Sequence, residues 1–290
     1  MENRPLVSVV IPAYNCEKTI QNTICSVINQ TFTDFELLIF DDGSTDDTIN
    51  IIDSFSDIRM KLYKDGYNKG IACRLNQLIN LASGHYLIRM DGDDLMFPDR
   101  LERQVKFLQE HPDVDVVGAP AIVIDENNNI LGLRGRASRI WSFDDLFMSS
   151  RFIHPTVAGK TEWFRNWQYD ESLSGCEDMD LWIRSFKNSV FADILEPVLF
   201  YREPLIFRLK TYLKRQRLLL HYSWGMRCYI DNRGHFLQLI CKILVSSIAA
   251  VFLHIIRCDD RMIRRRNEQL AKDSITNYNY ILSKIVTTVK

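Results

Sequence analysis

Short apolar runs alternate with amphipathic stretches through the first two thirds of the chain. Residues 6–11 form a valine-rich run ended by Pro12, which reads as a buried strand. Residues 17–29 follow with Ile20, Ile24, Val27 and Ile28 on one helical face. The alternation continues with a strand over 35–40, an acidic helix start at Asp46-Asp47, a short strand over 60–63, a helix over 68–82 and a strand over 85–90. Strand and helix at this spacing predict parallel α/β units. In such sheets ligands collect beyond the carboxyl ends of the strands. Three predicted strand ends carry Pro12-Ala13-Tyr14-Asn15, Asp41-Asp42-Gly43-Ser44 and Asp91-Gly92-Asp93-Asp94, so all three point at one crevice.

Further on, the pattern predicts a helix over 98–110 with Pro98 in its first turn, a strand over 114–118, and a hairpin of 121–125 and 130–133 around Asn127-Asn128-Asn129. It then becomes mixed, with a helix near 143–150, a strand near 153–158 and a helix over 178–187. Pattern and charge change near Glu203-Pro204, and nearly everything beyond is helical. The division is therefore 1–203 as the body and 204–290 as a basic helical extension.

Composition narrows the classes. The chain has 290 residues, 46% hydrophobic and 25% charged, which is globular. Its net charge of −1 hides an asymmetry, since residues 205–290 hold 16 Lys and Arg against 5 Asp and Glu. Such a tail suits an anionic membrane surface, an acidic partner or nucleic acid, but no nucleic-acid-binding motif accompanies it, so nucleic acid is not expected. Seven cysteines without a C-x-x-C pair argue against a disulfide framework or a zinc site. The N-terminus lacks the features of a secretory signal, which places the body in the cytoplasm.

Three carboxylates within Asp91-Gly92-Asp93-Asp94 repel one another, and a divalent cation would neutralise them. Mg²⁺ or Mn²⁺ with a diphosphate completing its shell fits these hard oxygens; the bland alternative is a surface acidic turn. At Asp41-Asp42-Gly43-Ser44 a carboxylate can accept from a base or ribose, or the segment can simply cap the next helix. Glu177-Asp178, opening a helix, suits a general base, or only a charged first turn.

Taken in order, Val7-Ser8-Val9-Val10-Ile11-Pro12-Ala13-Tyr14-Asn15, Asp41-Asp42-Gly43-Ser44-Thr45-Asp46, Asp91-Gly92-Asp93-Asp94 and Glu177-Asp178 resemble the inverting family 2 glycosyltransferases. The resemblance covers about residues 5–203. It implies an α/β GT-A nucleotide-sugar-binding fold, a mainly parallel central sheet flanked by helices, here with the C-terminal helical extension. It also implies that Pro12, Tyr14 and Asp42 hold the nucleoside, with Asp42 facing uracil. Asp91, Gly92 and Asp93 would form the D-x-D turn at the donor diphosphate, with Asp93 and Asp91 as ligands of Mn²⁺ or Mg²⁺. Arg74 and Asn76 would lie beside the nucleotide, in a stretch that departs more from the family pattern. Asp178 matches the catalytic base, while Glu177 and His154 would line the acceptor; His154 could equally be a structural strand-end histidine.

The Q-x-x-R-W motif of processive members does not occur in the sequence, which implies one sugar added per binding event. The donor expected is a UDP-sugar and the acceptor a hydroxyl of a surface-polysaccharide or lipid-linked saccharide. A nucleotidyltransferase would want a Gly-rich basic loop after the first strand, which Pro12-Ala13-Tyr14-Asn15 is not; an inactive nucleotide-sugar-binding scaffold stays open. Residues 236–256 are near the roughly 20 needed to span a bilayer. Lys242 within them would cost roughly 3 kcal/mol at the bilayer centre. With Arg257, Arg261 and Arg264-Arg265-Arg266 following, the reading is in-plane adsorption to anionic lipid, peripheral on the cytoplasmic face, ahead of packing against protein or a true span.

Overall fold

The computed structural model describes residues 4–135, 152–173, 175–203, 205, 207–226, 233–258 and 266–287. Its elements are β1 (Val7–Ala13), α1 (Ile20–Ile28), β2 (Phe35–Asp41), α2 (Thr48–Asp53), β3 (Met60–Lys64), α3 (Ile71–Leu81), β4 (Tyr86–Arg89), β5 (Leu95–Met96), α4 (Arg100–Glu110), β6 (Val116–Gly118), β7 (Ala121–Ile124) and β8 (Ile130–Arg134). They continue with β9 (Ala158–Lys160), α5 (Thr161–Asn166), α6 (Glu177–Ser185), β10 (Phe191–Asp193), β11 (Leu199–Arg202), α7 (Leu209–Gly225), α8 (Arg233–Ile255) and α9 (Lys272–Thr287).

The main sheet runs β10-β6-β9-β4-β1-β2-β3. β3, β2, β1 and β4 are parallel neighbours, and β9 is antiparallel to both β4 and β6. Side chains alternate across it as the strand period requires. Val7, Val9, Ile11, Leu37 and Ile39 pack with Ile20, Ile24 and Val27 of α1 and Leu101, Val105 and Leu108 of α4. Val10, Leu38, Phe40 and Leu87 face the other way, toward Leu75, Leu78 and Ile79 of α3, with Trp163 and Trp182. Both faces are covered, which is why these strands read as continuous apolar runs rather than alternating ones.

A smaller sheet, β5-β11-β7-β8, joins an antiparallel hairpin (β7 and β8) to two short strands. Its outer side is closed by α9, whose Leu282 and Ile285 pack with Leu95, Phe97, Ile122, Ile124 and Phe200. The chain before α9 also bonds to this sheet through Leu133 and Glu268. Part of the extension is thus built into the body.

Two expectations need correction and one falls outside view. Residues 153–158 are not a strand: His154–Thr156 form a 3-10 turn around Pro155, and pairing starts at Ala158. Proline fixes φ and lacks the N–H a ladder needs. Pro98 precedes α4 rather than opening it, because the helix begins at Arg100. The helix expected near 143–150 lies outside the described residues. Beyond residue 204 the described chain is helical in α7, α8 and α9, as its periodicity predicts.

Candidate active site

The carboxyl ends of β1, β2 and β4 meet at one edge. The Asp42 amide donates to the Ala13 carbonyl at 2.7 Å, joining the first two. Asp42 is buried and accepts from the Lys69 and Gly70 amides at 2.7 and 3.0 Å and from Arg74 Nε at 2.8 Å. A carboxylate has about four acceptor positions, so Asp42 keeps room for one more donor. Arg74 is fully buried, also grips Asp65 at 3.0 and 2.7 Å, and stacks 4.3 Å from the Phe40 ring centroid. The Arg74 and Lys69 cations hold the Asp65 carboxyl far below its usual range. Pro12 is half-buried on β1, and Tyr14 stands 50% exposed at the rim. Gly43 is required by geometry: its φ is +76°, and a Cβ there would stand 2.9 Å from the Tyr67 carbonyl carbon.

The acidic turn follows β4. One carboxylate oxygen from each of Asp91, Asp93 and Asp94 lies within 4.8 Å of the others. The turn is fastened from two sides. Thr19 and Thr23 hydroxyls donate to the Gly92 carbonyl at 3.0 and 3.1 Å, and Thr23 also to that of Asp94 at 2.8 Å. Arg202 donates its amide to Asp94 Oδ1 at 2.8 Å and Nε to the Asp93 carbonyl at 2.9 Å. Gly92 lies tight against Cys16, whose sulfur would be 3.0 Å from an added Cβ. Burial and the Asp91 charge raise Asp93 from 3.8 to about 6. Asp94, deeper still, is pushed well up by burial and by both neighbours, and its Oδ2 is buried without a partner. Clustered carboxylates with an orphan oxygen fit a divalent cation such as Mg²⁺ or Mn²⁺.

The third part stands on α6. Glu177 and Asp178 occupy its first turn, where the helix dipole favours anions. Glu177 is buried, accepts from the Gly175 amide, and is raised by burial and by Asp178. Asp180, one turn in, is held by Arg184 at 2.6 Å and by the Tyr222 hydroxyl of α7 at 2.9 Å, which anchors the helix start. His154 Nε2 lies 2.7 Å from the Tyr169 hydroxyl. Burial and the nearby Arg89 cation push His154 well below its ordinary value, so it is neutral at pH 7. Burial raises the Tyr169 phenol, with Asp178, Glu177 and Asp91 adding to it and Arg89 opposing. That set of neighbours ties the 91–94 turn to the α6 start.

Of the residues singled out in the sequence, Pro12, Tyr14 and Asp42 lie at the β1 and β2 ends, Asp91, Gly92 and Asp93 in the β4 turn, and Glu177, Asp178 and His154 beside Tyr169. Arg74 and Asn76 are committed within the protein. Arg74 orients Asp42, and Asn76 donates to the Tyr169 carbonyl and Glu171 and accepts from the Tyr169 amide at 3.0, 3.0 and 2.9 Å. Sequence reasoning missed Arg89, Tyr169 and Arg202 as members of this site. Arg89 and Arg202 had one signal, a charged residue ending an otherwise apolar strand.

A mainly parallel sheet whose strand ends gather an acidic turn, with a carboxylate pair on a nearby helix start, is the arrangement of a GT-A type fold. The description "Glycosyl transferase family 2" matches over residues 8–166, and the chain belongs to that family. Over 243 residues it is 32% identical to an uncharacterized glycosyltransferase, MJ1057, of Methanocaldococcus jannaschii, covering 81% of this chain and 82% of that one. It is 38% identical over 127 residues, 44% of this chain and 49% of the other, to the UDP-Glc:alpha-D-GlcNAc-diphosphoundecaprenol beta-1,3-glucosyltransferase WfgD of Escherichia coli. Its fold matches that of the mannosyltransferase PcManGT of Pyrobaculum calidifontis, solved with GDP-Man and Mn²⁺, at a TM-score of 0.59 and 18% identity, over 98% of this chain and 86% of that one.

Proposed function

We propose that the chain is a non-processive, inverting transferase that moves one sugar from a UDP-sugar to a hydroxyl of a lipid-linked or surface-polysaccharide saccharide. The observation that carries this reading is the cluster of Asp91, Asp93 and Asp94 oxygens within 4.8 Å of one another, ion-paired to Arg89, which also interacts electrostatically with Tyr169 and Glu177. A donor bound at the turn would place its sugar within reach of a carboxylate base. Asp42, pre-oriented by Arg74, has the free acceptor capacity to take a uracil N–H, with Pro12 and Tyr14 flanking the nucleoside. Asp93 and Asp91 would hold Mn²⁺ or Mg²⁺, with Gly92 letting the turn approach the diphosphate. Such an ion, when bound, stabilises charge on the departing diphosphate.

In this reading Asp178 takes the proton of the acceptor hydroxyl as its oxygen forms a bond to the anomeric carbon. The carbon–phosphate-oxygen bond breaks on the opposite face, its electron pair leaves with the diphosphate, and the configuration inverts. Glu177 and neutral His154 orient the acceptor. WfgD supports the donor and acceptor classes, since its name joins UDP-Glc to a diphosphoundecaprenol-linked sugar. The basic extension and the exposed apolar side of α8 support a peripheral seat on an anionic membrane at the cytoplasmic face, where a lipid-linked acceptor would be met.

The test is a panel of UDP-, GDP- and dTDP-sugars with Mn²⁺ and lipid-linked acceptors, run on the native chain, Asp93→Ala and Asp178→Asn. The expected result is turnover with one nucleotide, donor affinity lost in Asp93→Ala, and kcat down about 10²–10⁴-fold with donor affinity kept in Asp178→Asn. Tight donor binding without turnover in the native chain would favour an inactive scaffold.

A further inference from the structure

Where the donor and acceptor halves of the site meet, there is an arginine that the reaction as described leaves idle. Arg89, the last residue of β4, is 2% exposed. Its Nη2 forms an ion pair with Asp91 Oδ1 at 2.6 Å, while Nε and Nη1 are buried without a hydrogen-bond partner. Buried donors are nearly always paired, and charged ones cost most when left unpaired, so two idle nitrogens on one guanidinium call for a missing partner. Charge balance alone does not explain them. The Asp91 pair already satisfies the cation, and a lysine would neutralise the turn without two further directional donors.

The surroundings identify the partner. Arg89 is ion-paired to Asp91 and interacts electrostatically with Asp94 of the same turn and with Tyr169, His154 and Glu177 of the acceptor set. In the proposed reaction the diphosphate lies at the turn and the acceptor hydroxyl at the acceptor set, and the transferred sugar is what lies between. The sugar's oxygens are neutral acceptors, matched to a guanidinium whose charge is already compensated by Asp91.

We propose that Arg89 is a donor-sugar-binding residue, with Nη2 fixing Asp91 and Nε and Nη1 donating to oxygens of the transferred sugar. The inference rests on the glycosyltransferase reading, and the experiment separates the two. Calorimetric titrations in Mn²⁺ compare UDP and GDP alone with UDP-glucose, UDP-N-acetylglucosamine and GDP-mannose, for the native chain, Arg89→Lys and Arg89→Gln, alongside melting curves and turnover of the active donor. The expected result is nucleoside-diphosphate affinity within about threefold of native. The affinity that the attached sugar adds falls about tenfold or more in Arg89→Gln and less in Arg89→Lys, and kcat falls with it. If Arg89→Gln does not fold, Arg89→Lys decides by the same ratio. Equal losses for nucleotide and nucleotide-sugar would assign Arg89 to the diphosphate or to structure alone and overturn the proposal, as would no loss in either. A native chain that binds and transfers no nucleotide-sugar would instead overturn the glycosyltransferase reading itself.

Discussion

Asp93 shows how much chemistry one carboxyl takes from its neighbours. Its pKa of about 6 reflects desolvation and the adjacent Asp91 charge, so without metal the folded chain holds a proton that the unfolded chain releases near 3.8. A raised carboxyl stabilises the fold at pH values below its unfolded pKa, and that contribution disappears as pH rises through about 6. In metal chelator, Asp93→Asn should therefore gain stability relative to the native chain between pH 4 and 7.5. After discount for the solvent reaching this half-buried group, the gain is about 1 kcal/mol, read by urea denaturation at each pH. Mn²⁺ should reverse the order at pH 7.5, and a gap that does not change with pH would refute the account. The acidic turn was legible in the sequence because three acids in four residues are improbable without a cation. Arg89 was not, because only the fold sets its side chain beneath that turn.

At the scale of elements, the acidic turn stands on a platform supplied from far along the chain. Leu95 and Phe97, directly after Asp94, pack under Leu282 and Ile285 of α9. Leu282→Ala should destabilise by about 2–4 kcal/mol, as a buried truncation does, whereas Ile255→Ala, at a position 72% exposed on α8, should change stability by less than about 0.5 kcal/mol. Urea denaturation of the two variants checks the contrast, and equal effects would mean that α9 is not part of the core. The periodicity of 272–287 announces a helix, but nothing in it names the sheet that the helix covers. The 3-10 turn at His154–Thr156 is a comparable case, where a local proline outweighed an apolar pattern.

For the whole molecule, the partition of charge and apolar surface matters most. Among the described residues one helix, Phe236–Ile255, is long and apolar enough to cross a membrane. One side packs Leu239 and Ile243 into the core beneath α6 and α7, while Leu237, Val245, Ile248, Phe252 and Ile255 are exposed. A stripe of this kind beside a basic segment suits in-plane adsorption, with about 1 kcal/mol from each cation near an anionic surface. The double variant Val245→Glu/Phe252→Glu should keep its melting temperature yet lose about tenfold or more of its binding to phosphatidylglycerol vesicles in flotation assays. Unchanged vesicle binding would exclude this face as the docking surface.

The sequence by itself determined the strands and helices up to residue 134 apart from the two-residue β5, the three polar strand ends, the family, and the basic character of the tail, because each follows from local periodicity or from residue types within a few positions. Only the tertiary structure decided that Arg74 serves Asp42, that Asn76 holds Tyr169, that Arg202 ties the 91–94 turn to the β7–β8 loop, and that Arg89 is buried against Asp91. These are contacts between residues distant along the chain. Their partners are chosen by strand order and helix placement, which depend on how whole apolar faces pack, and no short window of sequence contains that information.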